Sequence, residues 1–461
     1  MIGLKKEKTK DIIAVLSVIL TGALFLSYFK LKHSMNFINL DELLWMYRSR
    51  FFMDSLLSFD FSHLIQSAQP GIMVMWASGP FMKIIDYDFV SVYNFVNNLD
   101  KSGIPYNIIN SRDGDLFLEY REASFLFNIP VLAIMASFFF AAYFLLRKLD
   151  FSRWSVSFAL LLIATTPYYV YFTTPTDKFV GIFATLSLLN LLVYLEEKGG
   201  RKYLAFSALL GAWAALTKLS ALFLVPLALL IVVFYRNKSS VLEQFDRAKG
   251  AITALKWRKL SLNRKMFTTF DLRLLAKDYA LWLAVFFVSC SVFLPTIITD
   301  PFKVVNFFLK QDQRTSIIGE YDVFLNLKII AAYLFDSSLQ SFNLFVLIAY
   351  ISFVFLIIQQ IKNKINTNKK EIVIAAYPLV FFLFVTLFSR TYSFRYLVPV
   401  LIVLQIAAGE GIYQFANILS RKWKLKDKEA YFWAVALILI SQALLIYYSE
   451  VEKIENLPNF Q

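Results

Sequence analysis

Two adjacent carboxylates, Asp41 and Glu42, lie in the stretch NLDELLWMYR, where an aromatic residue and a cation follow them. On a helix, Asp41, Trp45 and Arg48 are spaced i, i+4 and i+7 and share one face. A carboxylate there can act as a general base on a hydroxyl group, and an indole and a guanidinium beside it can meet a sugar or a phosphate. The same acids also suit the first turn of a helix that Asn39 caps, and an Asp–Arg pair can be purely structural.

Two further ionisable residues lie at the edges of apolar runs, Asp177 in YFTTPTDKF and Lys218 in WAALTKLSALFLVP. Ionisable groups at the edge of a membrane span are candidates for function, because a charge in lipid is costly. Asp177 can equally cap the next helix, and Lys218 can equally mark a tight turn between two spans. The functional interpretation of the lysine is a phosphate ligand.

Cations recur at other predicted span edges. Arg395 and Tyr396 lie in SRTYSFRYLVP, and Arg121 precedes a long apolar run. Such residues can form the aromatic and basic belt of a membrane interface. They can also hold a phosphate, since arginine binds phosphate oxygens in a bidentate manner. Carboxylates and cations together would suit a substrate that carries a lipid-linked phosphate.

The composition indicates which kind of molecule must position these residues. The 461 residues are 58% hydrophobic and 17% charged, with a mean hydropathy of +0.58. Soluble domains carry about a quarter charged residues, so we predict an all-α polytopic membrane protein without a large soluble domain. The net charge of +14 does not indicate nucleic acid binding, because the cations lie in short loops between apolar runs. Cys290 is the only cysteine, which excludes an internal disulfide.

Long apolar runs predict about eleven transmembrane helices. They cover roughly residues 11–29, 122–146, 154–173, 178–195, 202–217, 219–235, 279–298, 340–360, 371–388, 396–418 and 430–448. The apolar stretch 71–85 is short and contains Gly79 and Pro80. We therefore expect an interfacial or re-entrant helix there rather than a span.

Loop charges predict the orientation of these helices, because Lys and Arg concentrate on the cytoplasmic side. With the N-terminus in the cytoplasm, Lys/Arg-rich loops alternate with poorer ones, and residues 236–278 form a basic cytoplasmic loop. The first outer loop, 30–121, is then the most acidic part of the chain and is expected to carry interfacial helices, while 299–339 forms a second outer segment. The whole chain, 1–461, is expected to be one multi-pass domain of the cell (plasma) membrane, with its active site on the outer face.

Several motifs occur in the order found in one family of membrane enzymes. LDELLWMYRSRFFMDSLLSFDFSHLIQSAQPGIMVMW resembles the first outer loop of GT-C superfamily glycosyltransferases, with Gln69 where a histidine is usual. SFALLLIATTPYYVYFTTPTDKF, LLGAWAALTKLSALFLVP and FRYLVPVLIVLQIAAGEG resemble later motifs of these enzymes. The similarity is to the bacterial protein O-mannosyltransferase-like group and to the aminoarabinose transferase of lipid A modification. It covers most of the chain except 236–278.

The resemblance implies a glycosyltransferase that uses a polyprenyl-monophosphate-linked sugar and inverts the sugar on transfer to a hydroxyl group. The acceptor would be a lipid, a glycan or a protein at the outer surface of the membrane lipids. The implied roles are Asp41 as the catalytic base, Glu42 in positioning the acceptor, Asp177 with Trp45 and Arg48 in positioning the acceptor or a metal, and Arg121, Lys218, Arg395 and Tyr396 in binding the lipid phosphate. No cofactor is required. Some relatives need a divalent metal, for which Asp41 and Asp177 are the candidate ligands, but a single second-loop Asp argues for metal independence.

Two other functions fit parts of this pattern. A lipid-linked-sugar transporter or flippase needs polar or charged groups at mid-membrane depth, whereas the ionisable residues identified above lie at outer edges and in loops. A non-catalytic membrane assembly protein could keep the fold, but the presence of Asp41, Arg48 and Arg395 argues against that function. The enzyme is therefore the preferred interpretation.

Overall fold

The structure, a computed structural model, describes residues 9, 11–22, 40–65, 71–84, 114–166, 175–236, 272–306, 344–363, 368–388, 398–424 and 426–455. Within these ranges the chain forms helices and no strand. The α-helices are α1 (Asp11–Gly22), α2 (Leu40–Leu57), α3 (Ile72–Ile84), α4 (Gly114–Lys148), α5 (Arg153–Thr165), α6 (Pro175–Leu195), α7 (Arg201–Thr217), α8 (Leu224–Arg236), α9 (Leu272–Phe293), α10 (Thr296–Thr299), α11 (Leu344–Lys362), α12 (Lys369–Phe388), α13 (Val398–Trp423) and α14 (Asp427–Glu455). The described residues also form two 3-10 segments, Phe61–His63 and Leu219–Phe223, and a helical stretch over residues 301–306.

Each predicted span overlaps one of these helices. Among the described residues, six helical segments are long and apolar enough to cross a membrane: Ala123–Lys148, Thr176–Leu195, Leu219–Arg236, Leu275–Phe293, Phe345–Lys362 and Val400–Trp423. Shorter apolar helices occur in α1, α3, α5 and α14. The all-α membrane class is thereby confirmed in its coarse form, and the total of eleven spans stays a prediction.

Helices α6 and α13 form the centre of the bundle. In the most apolar part of each, 89% of the residues of α6 and 72% of those of α13 are buried, against 28–39% in α4, α8, α9 and α11. α6 packs most extensively against α7, and α13 packs most extensively against α5. The four less buried helices leave much of their apolar surface open, as helices at a lipid boundary do.

Two glycines allow the neighbours of α13 to approach its backbone closely. A Cβ atom at Gly409 would lie 2.5 Å from the backbone nitrogen of Ala159 in α5, and one at Gly411 would collide with the carbonyl oxygen of Ala349 in α11. Small residues at such crossings are typical of helices that pack in membranes. The segment GEG therefore sets the distance between the central helix and two of its neighbours.

Helices α2 and α3 lie side by side and point in the same direction. Gly71, just before α3, contacts Trp45 in the first half of α2. Near the end of α3, Lys83 pairs with Asp54 in the last part of α2. Helix α3 has 13 residues, so it is about 20 Å long at ~1.5 Å per residue, shorter than the roughly 30 Å hydrocarbon core. The predicted short helix is confirmed, and its position at the membrane surface stays a prediction.

The helix ends that loop charge assigns to the cytoplasm meet at one end of the bundle. Arg153 at the start of α5 pairs with Asp11 of α1 at 2.7 Å. Lys148 at the end of α4 donates a hydrogen bond to the Tyr203 hydroxyl of α7 at 2.9 Å. Lys370 at the start of α12 donates to a carbonyl in the turn between α4 and α5. The start of α6 and the end of α7 lie at the opposite end.

Candidate functional site

A buried ion pair joins two of the residues that the sequence singles out. The Lys218 ammonium lies 2.6 Å from a carboxylate oxygen of Asp177, and their side chains are 4% and 1% exposed. Asp177 occupies the first turn of α6, and Lys218 directly follows α7, so the antiparallel packing of these helices brings the two together. Asp177 is therefore not the cap that precedes the helix, because α6 already begins at Pro175. A carboxylate in a first turn is also stabilised by the helix dipole.

Gly71 connects the first outer loop to this pair. Its amide donates a hydrogen bond to the Thr217 carbonyl at 3.1 Å, one residue before Lys218. Its φ angle of +55° lies in the left-handed region that favours glycine. A Cβ atom added at Gly71 would overlap the six-membered ring of Trp45. The residue is thus held between the indole of α2 and the end of α7.

Trp45 and Arg48 contact each other on one face of α2, as their spacing predicts. The guanidinium carbon of Arg48 lies 4.9 Å from the centre of the Trp45 ring, within the range of a cation–π interaction. Trp45 is 3% exposed. The backbone of Asp41 and Glu42 is in the first turn of the same helix, which begins at Leu40 as predicted. Their side chains lie outside the described part of the structure.

The structure describes some of the remaining candidates only in part. Arg121 belongs to the section of α4 that precedes its apolar span, and its side chain is outside the described part. Arg395, Tyr396 and Gln69 lie outside the described residues. The candidates whose contacts are known are therefore Trp45, Arg48, Asp177 and Lys218, and Gly71 joins the first two to the other two.

An aromatic cluster packs beside this site. The Trp76 indole donates a hydrogen bond to the Phe293 carbonyl at 2.9 Å and packs edge-on against Phe52 of α2. The Trp213 ring lies one turn before Thr217 in α7 and packs against Phe293 at 5.3 Å between ring centres. The indole nitrogen of Trp213 is buried and has no hydrogen-bond partner among the described residues. These rings tie α3, α7 and α9 together and hold the start of α3 in position.

The sequence interpretation missed a buried carboxylate within a predicted span, Glu410 in the middle of α13. Its oxygens accept hydrogen bonds from the Ser155 hydroxyl of α5 and from the Gln414 amide, the latter at 2.9 Å. Only 8% of the residue is exposed. The sequence does contain a signal for it, since a glutamate between two glycines in an apolar run is an ionisable group in a predicted span.

The described residues show no metal site at Asp177. The Lys218 ammonium pairs with one of its two carboxylate oxygens. Among the described residues, no group of three His, Cys, Asp or Glu side chains is arranged to hold a metal ion. The Asp41 side chain lies outside that part of the structure, so metal binding there stays a prediction.

Comparisons of the chain with protein-family models, with curated proteins and with solved structures gave no match. The roles assigned to these residues rest on the motif resemblance and on the contacts described above.

Proposed function

We propose that the protein is a membrane glycosyltransferase that moves a sugar from a polyprenyl-monophosphate donor to an acceptor hydroxyl. The observation that carries this proposal is the contact path from α2 to the buried Asp177–Lys218 pair through Gly71 and Thr217. This path gathers an acid-bearing helix and a buried cation from segments far apart in the sequence. A site for a phosphate-linked donor and a hydroxyl acceptor needs both kinds of group.

The proposed chemistry is a single displacement. Asp41 takes the proton from the acceptor hydroxyl while its oxygen attacks the anomeric carbon. The bond from that carbon to the phosphate oxygen breaks, and the phosphate leaves with the bonding electrons. Attack from the face opposite to the leaving group inverts the anomeric configuration. Glu42 positions the acceptor, which is a lipid, a glycan or a protein.

Cations stabilise the charge that develops on the leaving phosphate. Lys218 supplies one of them, and Asp177 holds its ammonium in place through the 2.6 Å ion pair. Arg121, Arg395 and Tyr396 supply the others in this proposal. The proposed reaction requires no cofactor, because a lysine and arginines can provide the positive charge at the leaving phosphate.

The proposed location is the outer face of the plasma membrane, with a cytoplasmic N-terminus. Loop charge supports this orientation. The grouping of helix ends supports it too. Helices α1, α5 and α12 start near the end of α4 and the start of α7, whereas the Asp177–Lys218 pair lies at the opposite end of the bundle.

The direct test is Asp41→Asn, purified beside the wild type and assayed for sugar transfer from a polyprenyl-phosphate donor. We expect a loss of transfer of about 10²–10⁴-fold, the usual contribution of a general base. Asp54→Asn is the matched control, because it removes a carboxylate from the other end of the same helix, where the partner is Lys83. Equal rates for Asp41→Asn and the wild type would remove the assignment of the base.

Glu410 supports a second candidate function, a lipid-linked-sugar transporter or flippase. A hydrogen-bonded carboxylate buried within an apolar span is typical of transport pathways. Glu410→Gln and Asp41→Asn separate the two functions when transfer and translocation are measured in proteoliposomes. The enzyme predicts that transfer depends on Asp41, and the transporter predicts translocation without transfer that depends on Glu410.

A further inference from the structure

Several large apolar side chains are exposed at one edge of the α2–α3 pair. Leu57 and Phe59 at the end of α2 are 60% and 78% exposed, and Ile84 at the end of α3 is 83% exposed. The segment after α9 carries three more, Ile298, Phe302 and Val305, which are 53–79% exposed. We refer to these six residues as the apolar edge.

The two halves of the apolar edge are fixed to each other. The Thr296 hydroxyl donates a hydrogen bond to the Phe61 carbonyl at 2.6 Å. The Lys303 ammonium donates to the Ser62 carbonyl. The turn that follows α2 is therefore attached to the segment that follows α9, so the two groups of exposed side chains belong to neighbouring parts of the fold.

The backbone at Phe59 has a conformation that favours glycine over phenylalanine. Its φ angle is +58°, and it occupies the position after α2 where helices commonly end in glycine. The Asp60 amide donates to the Ser55 carbonyl at 2.8 Å and the Phe59 amide to the Leu56 carbonyl at 3.2 Å, the hydrogen bonds of a Schellman motif. A phenylalanine held in this strained conformation with its ring mostly exposed indicates a contact outside the chain.

Continuity with α9 identifies the partner as lipid. Phe287, Val288 and Val292 are 60–62% exposed on α9, which is apolar enough to span a membrane. Ile298 comes six residues after Val292, in the short helix α10 that directly follows α9, so exposed apolar side chains continue from the span into the edge. Polar and charged groups lie beside the edge, including the His63–Asp60 contact at 2.6 Å and Lys303. Apolar side chains flanked by such groups suit the boundary between headgroups and acyl chains.

We propose that the apolar edge is a lipid-binding surface that inserts into the membrane interface, with Phe59 as its principal anchor. The anchor fixes the end of α2 at the bilayer while the start of α2 lies beside the Asp177–Lys218 pair. This proposal concerns how the loop is held and does not depend on which reaction the protein catalyses.

Spin-label accessibility tests the proposal in proteoliposomes. Cys290, the single native cysteine, is replaced by serine, and a nitroxide is attached at Phe59→Cys, Phe302→Cys or Val288→Cys. Oxygen concentrates in the bilayer, and a nickel chelate stays in water. We expect labels at 59 and 302 to share the high oxygen-to-nickel ratio of the label at 288. Ser58→Cys is the matched control, because its exposed side chain turns back to the Asp54 carbonyl at 2.8 Å, so its ratio should lie nearer to that of free label in water.

Two results would overturn the proposal. Labels at 59 and 302 with the ratio of free label in water would show that the edge faces solvent. Labels that neither reagent reaches would show that a protein surface covers the edge, whether from another copy of the chain or from a different partner. Both results are independent of sugar transfer, so they are distinguishable from a failure of the proposed function.

Discussion

At the scale of single residues, the main question is whether the Asp177–Lys218 pair only stabilises the fold or also takes part in the reaction. Each charge is buried and depends on the other, since ions in an apolar interior are stable only when paired. In the proposed function the same lysine also binds the phosphate of the donor. The structural and catalytic interpretations predict different behaviour when both charges are removed together.

Asp177→Ala should lower the free energy of unfolding by about 3–5 kcal/mol, because it leaves the Lys218 ammonium buried without its carboxylate. The double variant Asp177→Leu/Lys218→Met should recover most of that loss, since it buries no charge. Thermal unfolding in detergent measures both. If Lys218 binds the donor phosphate, the double variant folds but transfers no sugar; wild-type transfer by this variant would show that the pair is only structural.

The stability of the turn after α2 is expected to depend on pH. Hydrogen bonds from the Ser62 hydroxyl and from His63 lower the pKa of the exposed Asp60 carboxyl. A lowered pKa means that the carboxylate stabilises the turn above the ordinary Asp pKa of about 3.9, and that this contribution is lost as the pH falls through the lower folded value.

A nitroxide at Phe59→Cys should therefore keep its mobility from pH 7 down to about 4, the unfolded Asp value, and become more mobile below it. In an Asp60→Asn background the label should be mobile at every pH. Electron paramagnetic resonance spectra recorded across this range measure the change. A label whose mobility rises at the same pH in both backgrounds would show that another group controls the turn.

At the scale of elements, α13 approaches α5 and α11 closely because the glycines at these contacts carry no side chain. Gly409→Ala should lower the free energy of unfolding by about 1–3 kcal/mol, the usual cost of overpacking, because the new methyl group meets the backbone of Ala159. Gly200→Ala is the matched control, since a Cβ there meets no atom within 4 Å. Apparent melting temperatures in detergent compare the two, and equal values would show that α13 can shift freely.

At the junction between α2 and α7 we expect a similar loss of stability, part of which a second substitution should restore. Gly71→Ala should cost about 1–3 kcal/mol, because its methyl group overlaps the Trp45 ring. Trp45→Leu in the same chain should recover part of that stability by removing the ring. Melting temperatures of the single and double variants give the coupling energy. If Gly71→Ala is as stable as the wild type, the glycine is not held against the indole.

The elements themselves were predictable, because long apolar runs in a chain of this composition have few alternatives to helices. The contacts between the helices were less predictable from the sequence. Asp177 and Lys218 each had a sufficient local explanation, as a helix cap and as a turn lysine, and no sequence pattern indicates that α6 and α7 bring them to 2.6 Å. No sequence pattern indicates the hydrogen bond from Gly71 to Thr217 either, since it depends on packing between distant segments.

At the scale of the whole molecule, the two ends of the bundle should face opposite sides of the membrane. His63 and Lys198 have side chains that are 58% and 37% exposed and lie toward opposite ends. In a Cys290→Ser background, His63→Cys should react with an impermeant maleimide in intact cells, and Lys198→Cys should react only after permeabilisation. The reverse pattern would place the proposed active site in the cytoplasm and contradict the proposed function.

Glu410 shows where sequence reasoning at this scale was incomplete. The alternation of loop charges directs attention to loops and span edges, so an ionisable residue inside an apolar run was counted as part of a span. Its partners explain why it is tolerated there, since Ser155 and Gln414 satisfy both carboxylate oxygens. Ser155 lies on a different helix, and only the packing of α5 against α13 brings it close.

The hydrogen bond from Gly71 to Thr217 also cannot form until synthesis of the chain has reached α7. The amide of Gly71 leaves the ribosome long before the carbonyl it needs, and at about 5–20 residues per second the delay is on the order of ten seconds. During that interval α2 and α3 exist without their contact to α7. The candidate site thus cannot assemble while the first loop is being made, and a chain that stalls before α7 would expose its acidic loop without ever pairing it with the buried lysine.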